Sequence, residues 1–330
     1  MSAVTHPVGG NTEVWDRFKV IVGRYGALVV LAGMIVVFSS LEPDSFATKS
    51  NLINVLNQSA LTAIFAMGLT FPLLAGEFDL SVGYGASLCG VIACKLMLSS
   101  GWSIPAAFAA AVVSGILIGM VNGLIVTKIG VSALVATLGI GTVLVGINYA
   151  VAAGTPVPVP DTEAFVNLTL GSFLGLPYPV YAMAVFAIVL WILLNKTSVG
   201  HAMQAVGGNP VAARLSGIRV DRTRILVFVI AGGCAAVTGV LLAARTGSAA
   251  VDGGDGYLLS GYAAAFFGSA VLREGQFHVV GTLLGVLTIS IGFNGIAITG
   301  APTYFQYLFQ GGLLILAVGA GTIARKRAGS

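Results

Sequence analysis

The sequence predicts an all-α polytopic membrane protein with about ten transmembrane helices, and three observations lead to this fold class. Of its 330 residues, 57% are hydrophobic and only 8% are charged, whereas soluble domains carry roughly 25% charged residues. The apolar residues form successive runs close to the length of about 20 residues that crosses a bilayer. The 45 glycines are typical of membrane helices whose backbones approach closely. We therefore expect one membrane-embedded domain, residues 1–330, surrounded by a lipid bilayer.

Ten apolar segments qualify as spans, and the eighth and ninth are rich in glycine and alanine. The segment before the first span, residues 1–25, is polar enough to lie in the cytoplasm or along its membrane interface. The predicted spans cover residues 26–41, 53–75, 82–99, 105–127, 131–153, 177–194, 225–243, 257–272, 279–298 and 305–323.

The distribution of Lys and Arg predicts the orientation, because basic residues concentrate in cytoplasmic loops. With both termini inside, only Lys49, Lys95 and Arg245 of the 16 basic residues fall on or near the outside. The longest external loop, 154–176, contains no basic residue, and the loop 195–224 is placed in the cytoplasm. The net charge of +4 is spread among loops without a basic stripe, which argues against nucleic acid as a partner.

Two pairs of short motifs suggest an internal repeat. "GEFDLSVGYGA" (76–86) and "GDGYLLSGYAA" (254–264) share glycine, acidic, leucine and tyrosine positions, and "GMVNG" (119–123) resembles "GFNG" (292–295). If spans two to five recur as spans seven to ten, the halves are inverted, and inverted repeats form transport pathways at their interface. Chance similarity is the alternative, since glycine and alanine are common in this chain.

The predicted spans contain uncharged polar residues but almost no charged ones. Amides donate and accept hydrogen bonds without carrying charge, which suits a hydroxyl-rich solute. The alternative for each residue is an interhelical hydrogen bond, worth about 0.6 kcal/mol. As a set, the amides predict a neutral polar cargo. The candidate pathway residues are Asn54, Asn57, Asn122, Asn148, Asn294 and Gln306.

Two acidic residues, Glu77 and Asp79, follow the second span. Either Asp79 or Ser81 can cap the next helix, and a role in transport is the alternative. The histidines and the three cysteines show no metal-ligand spacing, so no metal site is expected. No catalytic set and no Gly-Lys pair of a phosphate-binding loop occur in the sequence. We therefore expect a protein that is not an enzyme and binds no cofactor, with ATP bound by a separate subunit if transport is active.

The loop 195–224 has the pattern of two short helices joined at a Gly-Gly-Asn-Pro turn. Thr197 or Ser198 can cap a first helix, 200–206, that Gly207 ends. Asn209 is a favourable cap for a second helix, 210–216, whose first residue is proline and whose stop is Gly217. Helices this short are unstable alone, so the pattern predicts a docking element. A merely structural loop is the alternative.

Four stretches resemble the permease subunits of ribose-type bacterial ABC importers, which handle monosaccharides and polyols. They are "GHAMQAVGGNPVAARLSGI" (200–218), "GEFDLSVG" (76–83), "VSALVATLG" (131–139) and "GYLLSGYAAAFFGSAVLREGQ" (256–276). The resemblance extends from about residue 50 to the C-terminus. Glu77, where a neutral residue is common, and the turn "REGQFHVVG" depart from the family pattern.

The resemblance implies a permease subunit of the plasma membrane that pairs with a second permease, identical or different, and with two cytosolic ABC ATPase domains. A periplasmic or lipid-anchored sugar-binding protein would deliver the cargo. A secondary transporter for a neutral polar solute is the alternative, and it predicts uptake that survives ATP depletion. By resemblance, the residues that contact the ATPase are Gly208, Asn209, Ala212, Ala213, Arg214, Ser216 and Gly217.

Overall fold

The computed structural model describes residues 28–270 and 275–328, and this part of the chain is almost entirely helical. Seven of the described helices are long and apolar enough to cross a membrane. They are α2 (Lys49–Leu74), α3 (Val82–Ser100), α4 (Ile104–Leu124, continued by a π-helical turn, Ile125–Ile129), α5 (Ala133–Ala152), α7 (Tyr178–Lys196), α10 (Val220–Thr246) and α12 (Val279–Ile298).

Shorter elements complete the fold. Two apolar helices, α1 and α13, lie at the ends of the described chain, and α11 follows α10. Two small antiparallel sheets pair β1 with β4 and β2 with β3. These elements are α1 (Leu28–Leu41), α6 (Thr162–Leu170), α8 (Ser198–Gly208), α9 (Pro210–Leu215), α11 (Asp255–Ser269), α13 (Tyr304–Ala328), β1 (Val157–Pro158), β2 (Ser172–Phe173), β3 (Leu176–Pro177) and β4 (Ser248–Ala249).

Each of the ten predicted spans coincides with a helix, and the all-α polytopic class is confirmed. The number of spans stays a prediction, because α1, α11 and the apolar part of α13 are shorter than the seven long helices. The interfacial segment 1–25 lies outside the described residues.

Helix α10 lies at the centre of the bundle. In the most apolar 18-residue stretch of each helix, 67% of α10, 67% of α3 and 61% of α2 is buried. The corresponding stretches of α4, α5 and α7 are only 22%, 28% and 28% buried, although they are more apolar than those of α2 and α3. Apolar surface of this extent is stable only against lipid or another protein, so these three helices form the outer layer.

Glycines bring α4 and α10 into backbone contact. A methyl group added to Gly119 would collide with the carbonyl of Phe228, and one added to Gly232 with that of Gly115. Only hydrogen fits at these positions, and close approach of this kind holds membrane helices together through van der Waals contact. The glycine content noted in the sequence thus serves a specific helix pair.

The C-terminal end of α10 is joined to the long loop 154–176. The β1–β4 ladder pairs Val157 with Ala249, directly after α10. Within the loop, Asp161 caps α6 by accepting a hydrogen bond from the Ala164 amide at 3.1 Å. The loop is therefore fixed to the helix that forms the core.

Candidate functional site

The two predicted short helices exist as α8 and α9, and their caps are confirmed. Thr197 Oγ1 accepts from the Gly200 amide at 3.1 Å and starts α8. Asn209 Oδ1 accepts from the amides of Val211 and Ala212, both at 3.0 Å, and starts α9. Four helical amides have no partner inside a helix at its N-terminus, and the Asn209 side chain satisfies two of them in α9.

The predicted end of the first helix is wrong. Helix α8 continues through Gly208 instead of stopping at Gly207. A side chain on Gly207 would collide with the carbonyl of Leu74 at the end of α2. Gly207 is therefore a packing residue inside the last turn rather than a helix stop. Gly217, by contrast, has φ +83° and supplies the left-handed turn expected after α9.

Six of the seven predicted ATPase-contacting residues are exposed on the α8–α9 hairpin, which comprises residues 198–217. Ala213 is the exception, because it is only 5% exposed and packs with Val206 and Val220. Its side chain supports α9 from within the protein and does not face a partner, which corrects the reading of Ala213 as an outward contact. The exposed members are Gly208, Asn209, Ala212, Arg214, Ser216 and Gly217.

The outer face of α9 is apolar. Val211 is 68% and Leu215 is 85% exposed, and four residues apart they share one helix face. Arg214 borders this face and donates to Asp221 at 3.3 Å, and Asp221 also accepts from Lys128 at 3.2 Å. An exposed leucine–valine pair beside charged groups has the composition of a small contact surface.

A cavity of about 490 Å³ opens beside α8. Its lining combines the ring of Phe78, which is 40% exposed, with Gln204 and Glu77. Glu77 is ion-paired with Arg224, whose Nε lies 3.0 Å from Oε1 but is not aligned for a hydrogen bond. Burial raises the pKa of the Glu77 carboxyl, and Arg224 opposes that shift. Neither the Glu77–Arg224 pair nor the cavity was predicted from the sequence.

The amides of α2 do not share one function. Asn54 is exposed, and its Oδ1 accepts from Gln58 Nε2 at 3.1 Å within the helix. The main-chain carbonyl of Asn57 accepts from Arg245 at 2.9 Å, while its buried Oδ1 has no partner among the described residues. Arg245 thus lies against α2 rather than free at the outer surface.

Two predicted pathway amides hold the last helices in place. Asn294 and Asn51 exchange two amide hydrogen bonds, each of 2.8 Å, and so join α12 to α2. Gln306 Nε2 donates to the main-chain oxygen of Phe293 at 3.2 Å, which joins α13 to α12. These contacts are the interhelical bonds that the sequence left open as an alternative.

The two remaining amides are buried and partly unsatisfied. Asn148 Nδ2 donates to the Val251 carbonyl at 2.7 Å, and Asn122 Nδ2 donates to Ser81 Oγ at 2.6 Å. The Oδ1 atom of each has no partner in the described part of the chain. The six predicted pathway residues are therefore distributed over five helices and several separate contacts, and their role in transport stays a prediction.

Ser81 occupies the N-cap position of α3, but no side chain makes a capping hydrogen bond to this helix, so the predicted capping contact is absent. Asp79 lies two residues earlier, in a buried position. It is 1% exposed, and its Oδ1 accepts the Ser81 amide at 3.0 Å and the Ser81 hydroxyl at 2.6 Å. The main-chain N–H and C=O of Asp79 both bind the Tyr262 hydroxyl at 2.9 Å. Tyr262 belongs to the second of the two similar motifs, so motif similarity was the available signal for this contact.

His278, read from the sequence as a polar loop residue, has a structural role. It is 6% exposed, and its Nδ1 accepts from the Gly281 amide at 2.9 Å, which caps α12. Histidine is an uncommon helix cap, so the residue type gave no signal for it.

A bundle of long apolar helices with buried amides between them and a capped hairpin at one end defines a polytopic membrane protein of the transport class. The chain belongs to the family described as "Branched-chain amino acid transport system / permease component", whose model matches residues 51–318. It is therefore a permease component, as the resemblance implied.

Individual relatives cover nearly the whole chain. The ribose import permease protein RbsC of Escherichia coli K12 is 36% identical over 88% of this chain and 91% of its own. The D-allose transport system permease protein AlsC of the same strain is 33% identical over 94% and 95%. The L-arabinose ABC transporter permease protein AraH of Azospirillum brasilense is 33% identical over 96% and 91%.

One solved structure, PsaBC from Streptococcus pneumoniae in complex with Fab, aligns with 84% of this chain and 91% of its own. The TM-score is 0.45 at 14% identity, a similarity too low to define a shared fold.

Proposed function

We propose that this chain is the membrane-spanning subunit of an ATP-driven importer that carries a monosaccharide or a related polyol into the cytoplasm. It would work with a second permease subunit, two cytosolic ABC ATPase domains that hydrolyse the ATP, and an external sugar-binding protein. The three relatives named above are permeases for ribose, D-allose and L-arabinose, which supports a sugar as the cargo.

The α8–α9 hairpin carries the proposal of an ATPase partner. Leu215 is 85% and Val211 is 68% exposed on a helix of only six residues. Such a helix gains most of its stability from what it packs against, and its inner side is already occupied by the Ala213 cluster. The apolar outer face then needs an external cover, and a groove of an ATPase subunit fits this requirement.

The contacts of the hairpin would transmit movement of the ATPase pair into the membrane. Gly207 touches the end of α2, and Ala213 packs against Val220 at the beginning of α10. When ATP closes the ATPase pair, the hairpin would move as a rigid unit, and α2 and α10 would move with it. This is a rigid-body route to alternating access.

The family description refers to branched-chain amino acids, so the cargo needs an independent argument. An amino acid carries both a carboxylate and an ammonium group, each of which requires a charged or strongly polar partner when desolvated. The cavity beside α8 offers a carboxylate, which Arg224 already neutralises, together with the Gln204 amide and the exposed Phe78 ring. Amides bind hydroxyl groups and an aromatic ring packs against the apolar face of a ligand, which favours a neutral sugar.

The orientation and the repeat belong to the same proposal. Basic residues predict that the hairpin and both termini are cytoplasmic. The two similar motifs lie against each other, since the Asp79 main chain binds the Tyr262 hydroxyl and Gly83 packs against Gly254. Contact between corresponding motifs is what an inverted repeat with ten spans would produce at its central interface.

The first experiment tests the coupling surface with Gly208→Trp. No atom lies within 4 Å of a Cβ atom added at Gly208, which is exposed, so we expect the variant to fold and enter the membrane. ATP-driven uptake in proteoliposomes containing the complete importer should be lost. Gly139→Trp is the matched control, because Gly139 is equally unobstructed but lies on α5. Normal uptake by Gly208→Trp would refute the coupling assignment.

A cross-linking experiment tests the ATPase contact directly. Ala212→Cys introduces an exposed thiol on α9, whereas Cys89, Cys94 and Cys234 are buried. Cysteines placed on the ATPase surface should cross-link to residue 212 in a nucleotide-dependent manner. No cross-link in any nucleotide state would contradict the proposal, and uptake that survives ATP depletion would favour the secondary transporter.

The cargo is identified by co-purification. The assembled complex should retain an external binding protein, and mass spectrometry of its ligand should give a monosaccharide or polyol. A branched-chain amino acid in the binding protein would overturn the substrate class while leaving the permease assignment intact.

A further inference from the structure

Away from the α8–α9 hairpin, the Asp79 side chain has one bare oxygen, meaning a buried oxygen without a hydrogen-bond partner among the described residues. Its Oδ1 accepts the N–H and the O–H of Ser81 at 3.0 and 2.6 Å. Its Oδ2 is buried and has no partner in the described part of the chain. An ionised carboxylate buried with one oxygen unsatisfied is energetically costly. Something outside the protein atoms must therefore compensate Oδ2.

A second bare oxygen belongs to Asn122. The Ser81 hydroxyl has one hydrogen, which it donates to Asp79, so it can only accept from Asn122 at 2.6 Å. This fixes the amide with Nδ2 towards Ser81. Asn122 Oδ1 consequently points elsewhere, is buried, and has no partner among the described residues.

Asp79 and Asn122 line the same small cavity. Its other walls are small residues of α3, α4 and α10, among them Gly85, Gly115 and Gly232. The space open to the centre of a water molecule is about 10 Å³, which is about what one ordered water requires. Asp79 Oδ2 and Asn122 Oδ1 thus belong to side chains that line a space for one water molecule, and neither oxygen has a hydrogen-bond donor among the described residues.

The Asp79 Oδ1 atom accepts from Ser81 and, at 3.5 Å, from Asn122 Nδ2, but no cationic side chain of the described residues is paired with this carboxylate. The ionisable side chain placed against it is Tyr262, whose hydroxyl is already bonded to the Asp79 main chain. Glu77, two residues away, is paired with Arg224. The walls from α3, α4 and α10 contribute glycine, alanine and aliphatic residues without charge. A metal cation requires about six oxygen ligands, many more than the two bare oxygens offer.

We propose that Asp79 binds a proton on Oδ2, and that one water molecule in this cavity accepts its O–H and donates to Asn122 Oδ1. The proton comes from solvent and converts the carboxylate to a neutral carboxylic acid. One hydrogen and one water then satisfy both bare oxygens. The site follows from the geometry alone and does not depend on the identity of the cargo.

The location of the site gives protonation a consequence. The cavity is bounded by walls from three helices, including the glycine contact of α4 with α10. A conformation in which these helices separate would let water reach Asp79 and release the proton. Low pH therefore favours the closed arrangement, and high pH favours the open one.

Infrared difference spectroscopy of the full chain in lipid nanodiscs tests the proposal. At mildly acidic pH the wild type should show the carbonyl stretch of a protonated carboxylic acid that weakens as pH rises, and Asp79→Asn should lack it. Glu77→Gln is the matched control at the neighbouring carboxyl and should retain the Asp79 band. An identical band in the wild type and Asp79→Asn would overturn the proposal.

Two further measurements keep the test decisive if Asp79→Asn does not fold. Asn122→Ala removes the acceptor of the water, so the Asp79 band should shift in frequency without disappearing. An unchanged band in this variant would show that the acid does not lie beside Asn122. A titration with sodium chloride should leave the band intact, and its loss on adding sodium would indicate a cation site and refute the proton site.

Discussion

The α4–α10 contact and the α8–α9 hairpin use glycine in opposite ways. Between the helices, Gly119 and Gly232 are present because any larger residue would meet backbone atoms. In the hairpin, Gly208 faces open space, and Gly217 is needed for its backbone angle of +83°. The first group maintains a dense core, and the second shapes a surface that is free to receive something.

The difference shows that a glycine-rich composition has no single meaning. In the sequence all four residues are glycines of an apolar chain, and residue type alone does not separate them. What separates them is the non-local neighbour, which is backbone in the core and solvent in the hairpin. Substitutions at equivalent-looking glycines should therefore differ in sign, and the following predictions run from the largest effect to the smallest.

The largest effect is expected for Gly119→Leu. The new side chain would collide with the Phe228 backbone, and backbone cannot move aside within a packed helix pair. We expect a loss of about 3 kcal/mol or more of stability, visible as low yield and a lower unfolding temperature in detergent. Gly139→Ala, at an exposed and unobstructed position on α5, should instead stabilise by about 0.5–1 kcal/mol. Equal changes in stability at Gly119 and Gly139 would contradict the distinction between packed and unobstructed glycines.

The hairpin should respond mainly to the loss of its cap. Asn209→Ala removes the acceptor of two amide hydrogen bonds at 3.0 Å, at a cost of about 1 kcal/mol. Hydrogen exchange should accelerate at the Val211 and Ala212 amides while α10 stays protected. Thr48→Ala, which removes the cap of the long helix α2, is the control and should leave hairpin exchange unchanged. Faster exchange throughout the bundle would mean that the hairpin is not a separate unit.

A polar contact inside the bundle should have an intermediate effect. Asn51→Ala and Asn294→Ala each leave one buried amide without its 2.8 Å partner. A double-mutant cycle on the unfolding free energy should give a coupling of about 0.6 kcal/mol, the average for membrane helices. A coupling free energy of zero would indicate that the two amides do not stabilise the contact of α2 with α12 and are available to bind a solute.

The smallest effect is expected at Glu77, between the two regions. Burial raises the pKa of this carboxyl above its ordinary value, so the folded state holds the proton more tightly than the unfolded state. Its contribution to stability is therefore full at low pH and is lost as pH rises through the folded pKa. The unfolding temperature of Glu77→Gln minus that of the wild type should increase from acidic to neutral pH. Exposed Glu163→Gln controls for charge removal, and a decreasing difference would show that the Arg224 attraction outweighs burial.

Local features of the fold were predictable from the sequence, and non-local ones were not. The apolar runs indicated every long helix, and the side-chain types of Thr197 and Asn209 indicated their caps, because a cap involves residues only two or three apart. Gly207 was misread because its neighbour, Leu74, is distant in sequence.

The same limit applies to the buried polar contacts. The sequence suggested a pathway of amides, but it could not show that Asn294 faces Asn51 or that Asn122 donates to both Ser81 and Asp79. These pairings depend on helix rotation, and the long spans are apolar on nearly every side. Without a polar stripe, periodicity does not indicate which face of a span points inward.

Helix α10 has one more consequence for the molecule. Its 27 residues form an unbroken rod of about 40 Å, joined at one end to α9 through Val220 and at the other to the long loop through β4. A rigid helix cannot tilt at one end without moving at the other. Two partners that bind at its ends and favour the same tilt would strengthen each other's binding, and two that favour different tilts would weaken it. In either case each partner alters the affinity of the other by an equal factor.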